Sequence, residues 1–135
     1  MTTVKALTLA AGVAVGGLFA TPALAEEAAI EHIVLFDIKD EVAPETVERV
    51  MAAGRSLLSD IPGVERVSIG HKALADRDAH IKDYDVGLYL RFRDQEAMAG
   101  YGPHVLHKVF VDMVKPLVAK MQVVDFYAGS GTPSP

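Results

Sequence analysis

Asp83-Tyr84-Asp85-Val86-Gly87-Leu88-Tyr89-Leu90-Arg91-Phe92-Arg93 is the most regular alternating segment of this 135-residue chain. Successive side chains of a β-strand point to opposite faces, so residues of equal parity share a face. One parity is apolar or aromatic throughout: Tyr84, Val86, Leu88, Leu90 and Phe92. The other parity mixes glycine, tyrosine and charged residues. The segment therefore predicts a strand with one face in the core.

Three other segments also predict strands, because they are rich in β-branched residues or alternate with period two. They are Ile30–Ile38, Val64–Lys72 and Gln122–Ala128. In the first of them both parities carry large apolar side chains. We therefore expect both faces of this strand to be covered, one of them bearing His32 and the other Ile33 and Leu35.

Helical patterns fill the gaps between these strands. Apolar residues recur every three or four positions from Pro44, which suits a first helical turn, up to the break at Ile61-Pro62-Gly63. Asp94 is a plausible N-cap of a short helix. A last helix is predicted from about Pro103 to Lys120, with a kink at Pro116 because proline cannot donate a backbone hydrogen bond.

The element order is β-α-β-β-α-β, which is the pattern of an α+β, ferredoxin-like fold with an antiparallel sheet. The helices can cover only one face of a four-stranded sheet. The open face would carry Ile33, Leu35 and Tyr89 together with alternate residues of the last strand. Because soluble monomers rarely expose such a patch, we expect a homodimer with two-fold symmetry through this face, as in a dimeric α/β barrel.

Residues 1–25 predict a secretory signal peptide. Lys5 precedes an uncharged apolar run of about 15 residues, shorter than a membrane span, and Ala23-Leu24-Ala25 forms a cleavage motif. The expected organisation is a leader over 1–25, one domain over 26–128 and a flexible tail over 129–135. The product would be periplasmic or secreted, with no membrane attachment after removal of the leader.

The composition after residue 25 excludes some partners. It contains 12 basic and 18 acidic side chains, so a nucleic-acid surface is not expected. The chain has no cysteine and therefore no disulfide.

Possible chemistry is concentrated in Tyr101-Gly102-Pro103-His104-Val105-Leu106-His107, where a turn leads into the last helix. Histidine is the side chain most readily poised for proton transfer near neutral pH. His107 projects to the edge of the apolar arc beside Phe110, whereas His104 lies nearer the polar face. The His104/His107 pair could bind a metal only if Asp112 or His71 converged on it, so no metal or cofactor is predicted.

Several of these segments resemble the stress-responsive dimeric α/β-barrel (Dabb) family over about residues 31–127. The resemblance rests on short segments along the whole domain: His32-Ile-Val-Leu-Phe, Ile61-Pro-Gly-Val64, Asp83-Tyr-Asp-Val86, Tyr101 with His104-x-x-His107, Lys115-Pro-Leu-Val118 and Val123-Val-Asp-Phe126. One branch of the family, the plant polyketide cyclases typified by olivetolic acid cyclase, is catalytic. The resemblance implies that the catalytic positions of this branch correspond to His32, Tyr101 and His107. Val86 stands where the branch has a histidine on the third strand, and Val105 stands where the family usually has a proline in the helix motif.

These observations leave three functional hypotheses open. The first is a binding protein that holds a small apolar or aromatic molecule between sheet and helices. Its ligand-binding residues would be His32, Val86, Tyr101, His104, His107 and Phe110. The second is a cyclase- or isomerase-like enzyme in which His107, Tyr101 and His32 transfer protons. The third is a structural assembly in the stress response.

Overall fold

The computed structural model describes residues 28–129. Its elements in chain order are β1 (Ile30–Ile38), α1 (Pro44–Ser59), β2 (Val64–His71), β3 (Val86–Phe92), α2 (Gln95–Tyr101), α3 (Val105–Val114) and β4 (Val118–Tyr127). The four strands form one antiparallel sheet in the order β2-β3-β1-β4. The predicted ferredoxin-like α+β fold is confirmed. The predicted leader lies outside the described residues, as does all but the first residue of the predicted tail.

The core lies between the helices and one face of the sheet. Every second residue of β3 from Val86 to Phe92 is buried there, as the alternation predicts. β1 contributes Ile30, Val34 and Phe36 to the same face. The burial of this face is what holds the helices on the sheet, because each buried large apolar side chain stabilises the fold by about 1.5–3 kcal/mol.

The helices leave the outer strand of this face partly uncovered. Met121 and Val123 of β4 pair with Phe36 and Val34 of β1, yet 57% and 47% of their surfaces remain exposed. The helix side of the sheet therefore ends in an apolar margin along β4. Within residues 28–129 no helix is long and apolar enough to span a bilayer.

The end of the chain differs from the expected pattern. The predicted helix over 103–120 begins at Val105 and ends at Val114, and β4 begins at Val118, four residues before the predicted Gln122. Pro116 has no amide hydrogen for a further helical turn. Instead the Leu117 carbonyl accepts from the Lys39 amide at 2.9 Å, which brings the chain into register beside β1.

β3 begins at Val86 rather than at Asp83 because Asp85 is tied to the end of β1. Its amide donates to the Phe36 carbonyl at 2.8 Å, and its carboxylate accepts from the Ile38 amide at 2.8 Å. The Asp85 carboxylate thus accepts the hydrogen bond from the Ile38 amide in place of a backbone carbonyl of a neighbouring strand. The regular ladder starts one residue later.

Candidate functional site

His32 lies on the helix side of β1, where the strand register places it between Leu90 of β3 and Asp125 of β4. Its Nδ1 is 2.5 Å from Asp125 Oδ1, and 12% of its side chain is exposed. An ionised carboxylate only accepts hydrogen bonds, so Nδ1 carries the proton. In the neutral ring, Nε2 then keeps its lone pair.

Tyr101 ends α2 and packs against the ring of His32. The two ring centroids are 5.8 Å apart, and Phe92 packs on the tyrosine at 5.0 Å, both in edge-to-face geometry. Only 6% of Tyr101 is exposed. This burial raises the pKa of the Tyr101 phenol well above its ordinary value, so the hydroxyl remains protonated and able to donate near neutral pH.

His107 lies in the first turn of α3 and also packs against the ring of Tyr101. Their ring centroids are 4.1 Å apart with the planes tilted by 41°. Its Nδ1 is 2.9 Å from the carbonyl oxygen of Gly102. A carbonyl can only accept, so this nitrogen also carries the proton, and Nε2 of the neutral ring is a free acceptor.

These four residues, His32, Tyr101, His107 and Asp125, are called the polar cluster below. The Tyr101 hydroxyl and the two Nε2 atoms form no hydrogen bond with any residue from 28 to 129. None of these three atoms is fully shielded from solvent. Three unpaired polar atoms therefore border accessible space at the edge of the core.

The other predicted ligand-binding residues lie outside this cluster. His104 is the N-cap of α3, and its Nδ1 accepts from the Leu106 amide at 3.2 Å. Val86 pairs with Phe36, four residues and so about 13 Å along β1 from His32. Val86 and Phe110 line a cavity of about 20 Å³ that is walled by apolar residues and has room for about one water molecule.

Asp125 was not among the residues predicted for the site. The sequence indicates that Asp125 is unusual, because it is a charged residue within an otherwise apolar part of the last strand. By alternation its side chain points to the face opposite to that of Val124 and Phe126. That parity becomes informative only with the strand register, which sets Asp125 beside His32. Among residues 28–129 no three histidine, aspartate or glutamate side chains converge to hold a metal ion.

Comparison with known proteins assigns the domain to a family. The sequence model of Dabb, the stress responsive A/B barrel domain, matches residues 30–128. No curated protein gave a significant sequence match.

Solved structures share the fold. A Dabb family protein from Mesorhizobium loti is 28% identical, with a TM-score of 0.62, covering 74% of this chain and 96% of its own. A dimeric ferredoxin-like protein of unknown function from Thermobifida fusca is 25% identical, with a TM-score of 0.65 and coverages of 76% and 92%. The hydroxynitrile lyase of Passiflora edulis, 14% identical with a TM-score of 0.68 and coverages of 80% and 99%, shares the fold alone.

Proposed function

Because this chain belongs to the stress responsive A/B barrel (Dabb) family, we propose that its domain binds a small, largely apolar or aromatic molecule between sheet and helices. The polar group of this ligand contacts His32, Tyr101 and His107. The observation that carries the proposal is the Tyr101 hydroxyl, which belongs to a buried residue and has no partner within residues 28–129. Because this hydroxyl borders accessible space, a ligand oxygen can reach it and form a hydrogen bond, whose net contribution is about 0.5–1.5 kcal/mol.

The apolar part of the ligand has a surface next to this cluster. Val123 is two residues from Asp125 on the same face of β4, and Met121 follows two residues further. Both are about half exposed. Since the cavity beside Val86 has a volume of only about 20 Å³, we assign the apolar part of the ligand to this margin of β4.

Native mass spectrometry of the purified protein tests the proposal first, because a ligand bound in the cell is expected to survive gentle desolvation. The same measurement on Tyr101→Phe, which keeps the ring contacts and removes only the hydroxyl, is expected to show less ligand. Tyr84→Phe makes the same change outside the cluster and should retain it. A protein that carries nothing and responds to no compound in a broad thermal-shift screen would instead favour a structural role.

A second candidate is proton-transfer catalysis, favoured by the fixed tautomer of His107. With Nδ1 held by Gly102, Nε2 can remove a proton from a carbon next to a carbonyl. The C–H electron pair forms the enolate double bond, the carbonyl oxygen takes the charge, and the Tyr101 hydroxyl stabilises it. In an isomerisation, the imidazolium returns the proton to another carbon of the enolate and the carbonyl re-forms. In a ring closure, the enolate carbon instead attacks a second carbonyl of the substrate, and the imidazolium protonates the alkoxide that this forms. The hydroxynitrile lyase similarity shows that the fold supports catalysis in one other protein.

We also propose that two copies associate through the open face of the sheet. Ile33 and Leu35 lie there on β1, and Val124 and Phe126 of β4 are about half exposed beside them. The charged part of this face is neutralised within one copy. Glu31 is buried and accepts from the Tyr89 hydroxyl at 2.5 Å and from Arg91, so it needs no partner from a second subunit.

The localisation remains a proposal from residues 1–25. Cleavage after Ala25 would release an exported protein that begins at Glu26. Mass spectrometry of the protein recovered from the culture medium or the cell envelope would give this N-terminus. An intact leader on protein in the cytoplasm would contradict export.

A further inference from the structure

One row of residues across the open face, the side of the sheet without helices, changes from small to large. The strand registers set one residue of each strand side by side in this row, in the order Gly70, Gly87, Leu35 and Gln122. A Cβ added at Gly70 would meet nothing within 4 Å, and one at Gly87 would meet only Cδ2 of Leu35, at 3.9 Å. The half of the row on β2 and β3 is therefore a hollow, and the half on β1 and β4 projects beyond it.

The hollow restricts what can cover this face. Sheets that pack face to face lie about 10 Å apart, and the side chains of both faces fill the gap. Two adjacent glycines leave their half of the gap empty. The atoms around such a void lose their contacts, so a stable partner must place longer side chains over Gly70 and Gly87.

A second copy fills the hollow when the two-fold axis runs parallel to the strands, midway between β1 and β3. The strand order β2-β3-β1-β4 is then reversed in the facing sheet, so β1 faces β3 and β4 faces β2. Leu35 of each copy enters the hollow at Gly87 of the other, and Gln122 lies over Gly70. The row is thus complementary to itself, as a two-fold interface requires.

A two-fold axis across the strands does not fill the hollow. It sets each strand against the same strand of the other copy, so β2 faces β2. The residues of β2 on this face are Arg66, Ser68 and Gly70. None of them has a large apolar side chain, so the hollow would remain unfilled or would enclose a charge.

The charged end of the open face fits the axis parallel to the strands. Glu31 of β1 lies beside Arg91 of β3, and the two side chains form an ion pair within one copy. When β1 faces β3, the Glu31 carboxylate of each copy lies opposite the Arg91 guanidinium of the other. Opposite charges therefore meet across the interface, where little water screens their attraction.

We propose that Leu35 and Gly87 determine how two copies recognise each other, with Leu35 of each copy seated at Gly87 of the other. The occupant of the open face is a second copy of this chain, and the axis of the pair runs parallel to the strands. This inference rests on the proposed association through the open face and adds the matching residues and the orientation.

Gly87→Val tests the hollow by filling it from within one copy. Valine suits a strand, and its Cβ would make an ordinary contact with Leu35, so the single copy should fold. Sedimentation velocity should show a dissociation constant of the dimer that is at least about tenfold higher, the effect of one overpacked contact. Gly70→Val fills the other end of the hollow and should act in the same direction. Gly100→Ala in α2, where an added Cβ also meets nothing within 4 Å, is the control and should leave the dimer unchanged.

A mixture of two variants tests whether the contact joins different copies. Leu35→Ala removes the side chain that enters the hollow, so its own dimer should also be weaker. When it is mixed with Gly87→Val, the new valine of one copy faces the new alanine of the other, and the second contact keeps the original pair. Native mass spectrometry separates the three dimers by mass and should show more of the mixed dimer than random pairing gives.

The outcomes separate this arrangement from association itself. If Gly87→Val and Gly70→Val, each folded by circular dichroism, dimerise like the original protein, the arrangement is wrong and the association stands. Random pairing in the mixture also overturns the contact between Leu35 and Gly87. If Gly87→Val does not fold, Gly70→Val decides alone. A monomeric original protein removes both the association and this arrangement.

Discussion

One ring nitrogen of His107 is bound to its own chain and the other is free, and the turn before α3 sets this asymmetry. Gly102 and Pro103 reverse the chain so that the Gly102 carbonyl faces Nδ1 at 2.9 Å. The proton on Nδ1 leaves Nε2 as an acceptor next to the Tyr101 ring. An acceptor in this place can either receive a ligand proton in a hydrogen bond or remove a proton from carbon.

Replacing His107 by Gln separates these two roles. If Nε2 is a catalytic base, the kcat of a turnover assay on an enolisable ketone should fall by roughly 10²–10⁴-fold with little change in KM. If His107 only binds, affinity should fall by about 1 kcal/mol, one hydrogen bond, and any turnover should persist. His80→Gln, a change in the loop between β2 and β3, is the control and should alter neither quantity. A His107→Gln protein that binds and turns over normally but melts earlier would limit His107 to holding the turn.

Sequence alone brings together Tyr101 and His107, the two residues of the polar cluster that are close to each other in the chain. Tyr101 and His107 are six residues apart around one turn, so helix periodicity and the Gly-Pro signal place them together. Asp125 is 93 residues from His32. Their contact depends on which residue of β4 pairs with which residue of β1, and neither strand encodes that register by itself.

At the scale of elements, α1 and α3 approach each other closely because α1 has a glycine at the contact. A Cβ added at Gly54 would lie 2.6 Å from Cε2 of Phe110, a distance that carbon atoms do not tolerate. The apolar repeat that begins at Pro44 predicted α1. It gave no indication that Phe110 fills the space above that glycine, because this contact depends on how the two helices cross.

Gly54→Ala is expected to destabilise the domain although alanine is the better helix former. Helix propensity favours alanine by about 1 kcal/mol, whereas forcing an extra methyl group into a packed contact costs about 1–3 kcal/mol. The net free energy of unfolding from urea denaturation should therefore fall. Gly100→Ala in α2 is the matched control, because its Cβ would meet nothing within 4 Å. That variant should be as stable as the original or more so, and equal effects of both changes would argue against the Phe110 contact.

The end of α3 shows a limit of periodicity within one element. The apolar repeat continues past Val114, so it predicts helix as far as Lys120. Pro116 and the bond from the Lys39 amide to the Leu117 carbonyl end the helix first. The proline is visible in the sequence, whereas the competing strand contact with the end of β1 is a tertiary interaction and could not be predicted locally.

The whole domain is a two-layer structure with all its helices on one side of the sheet. The sequence predicted this asymmetry because both parities of β1 are apolar while the helices can cover only one of them. The side without helices keeps an apolar half along β1 and β4 and a charged half around Glu31, Tyr89 and Arg91. Burial of the apolar half requires a second layer, for which the simplest source is another copy of the chain.

Leu35→Asp is expected to convert the proposed dimer to monomer. Leu35 lies on the face without helices, between Gly87 of β3 and Gln122 of β4, so a carboxylate there would be desolvated by a second copy without a partner. Sedimentation velocity at micromolar concentration should give a dimer for the original protein and a monomer for the variant. The far-UV circular dichroism spectrum of the variant should match that of the original protein, which would show that the variant is folded. Leu74→Asp is the control: it makes the same change at a loop residue that is 84% exposed, and it should remain dimeric. A monomeric original protein would refute association, and a folded dimer of Leu35→Asp would place the interface on another surface.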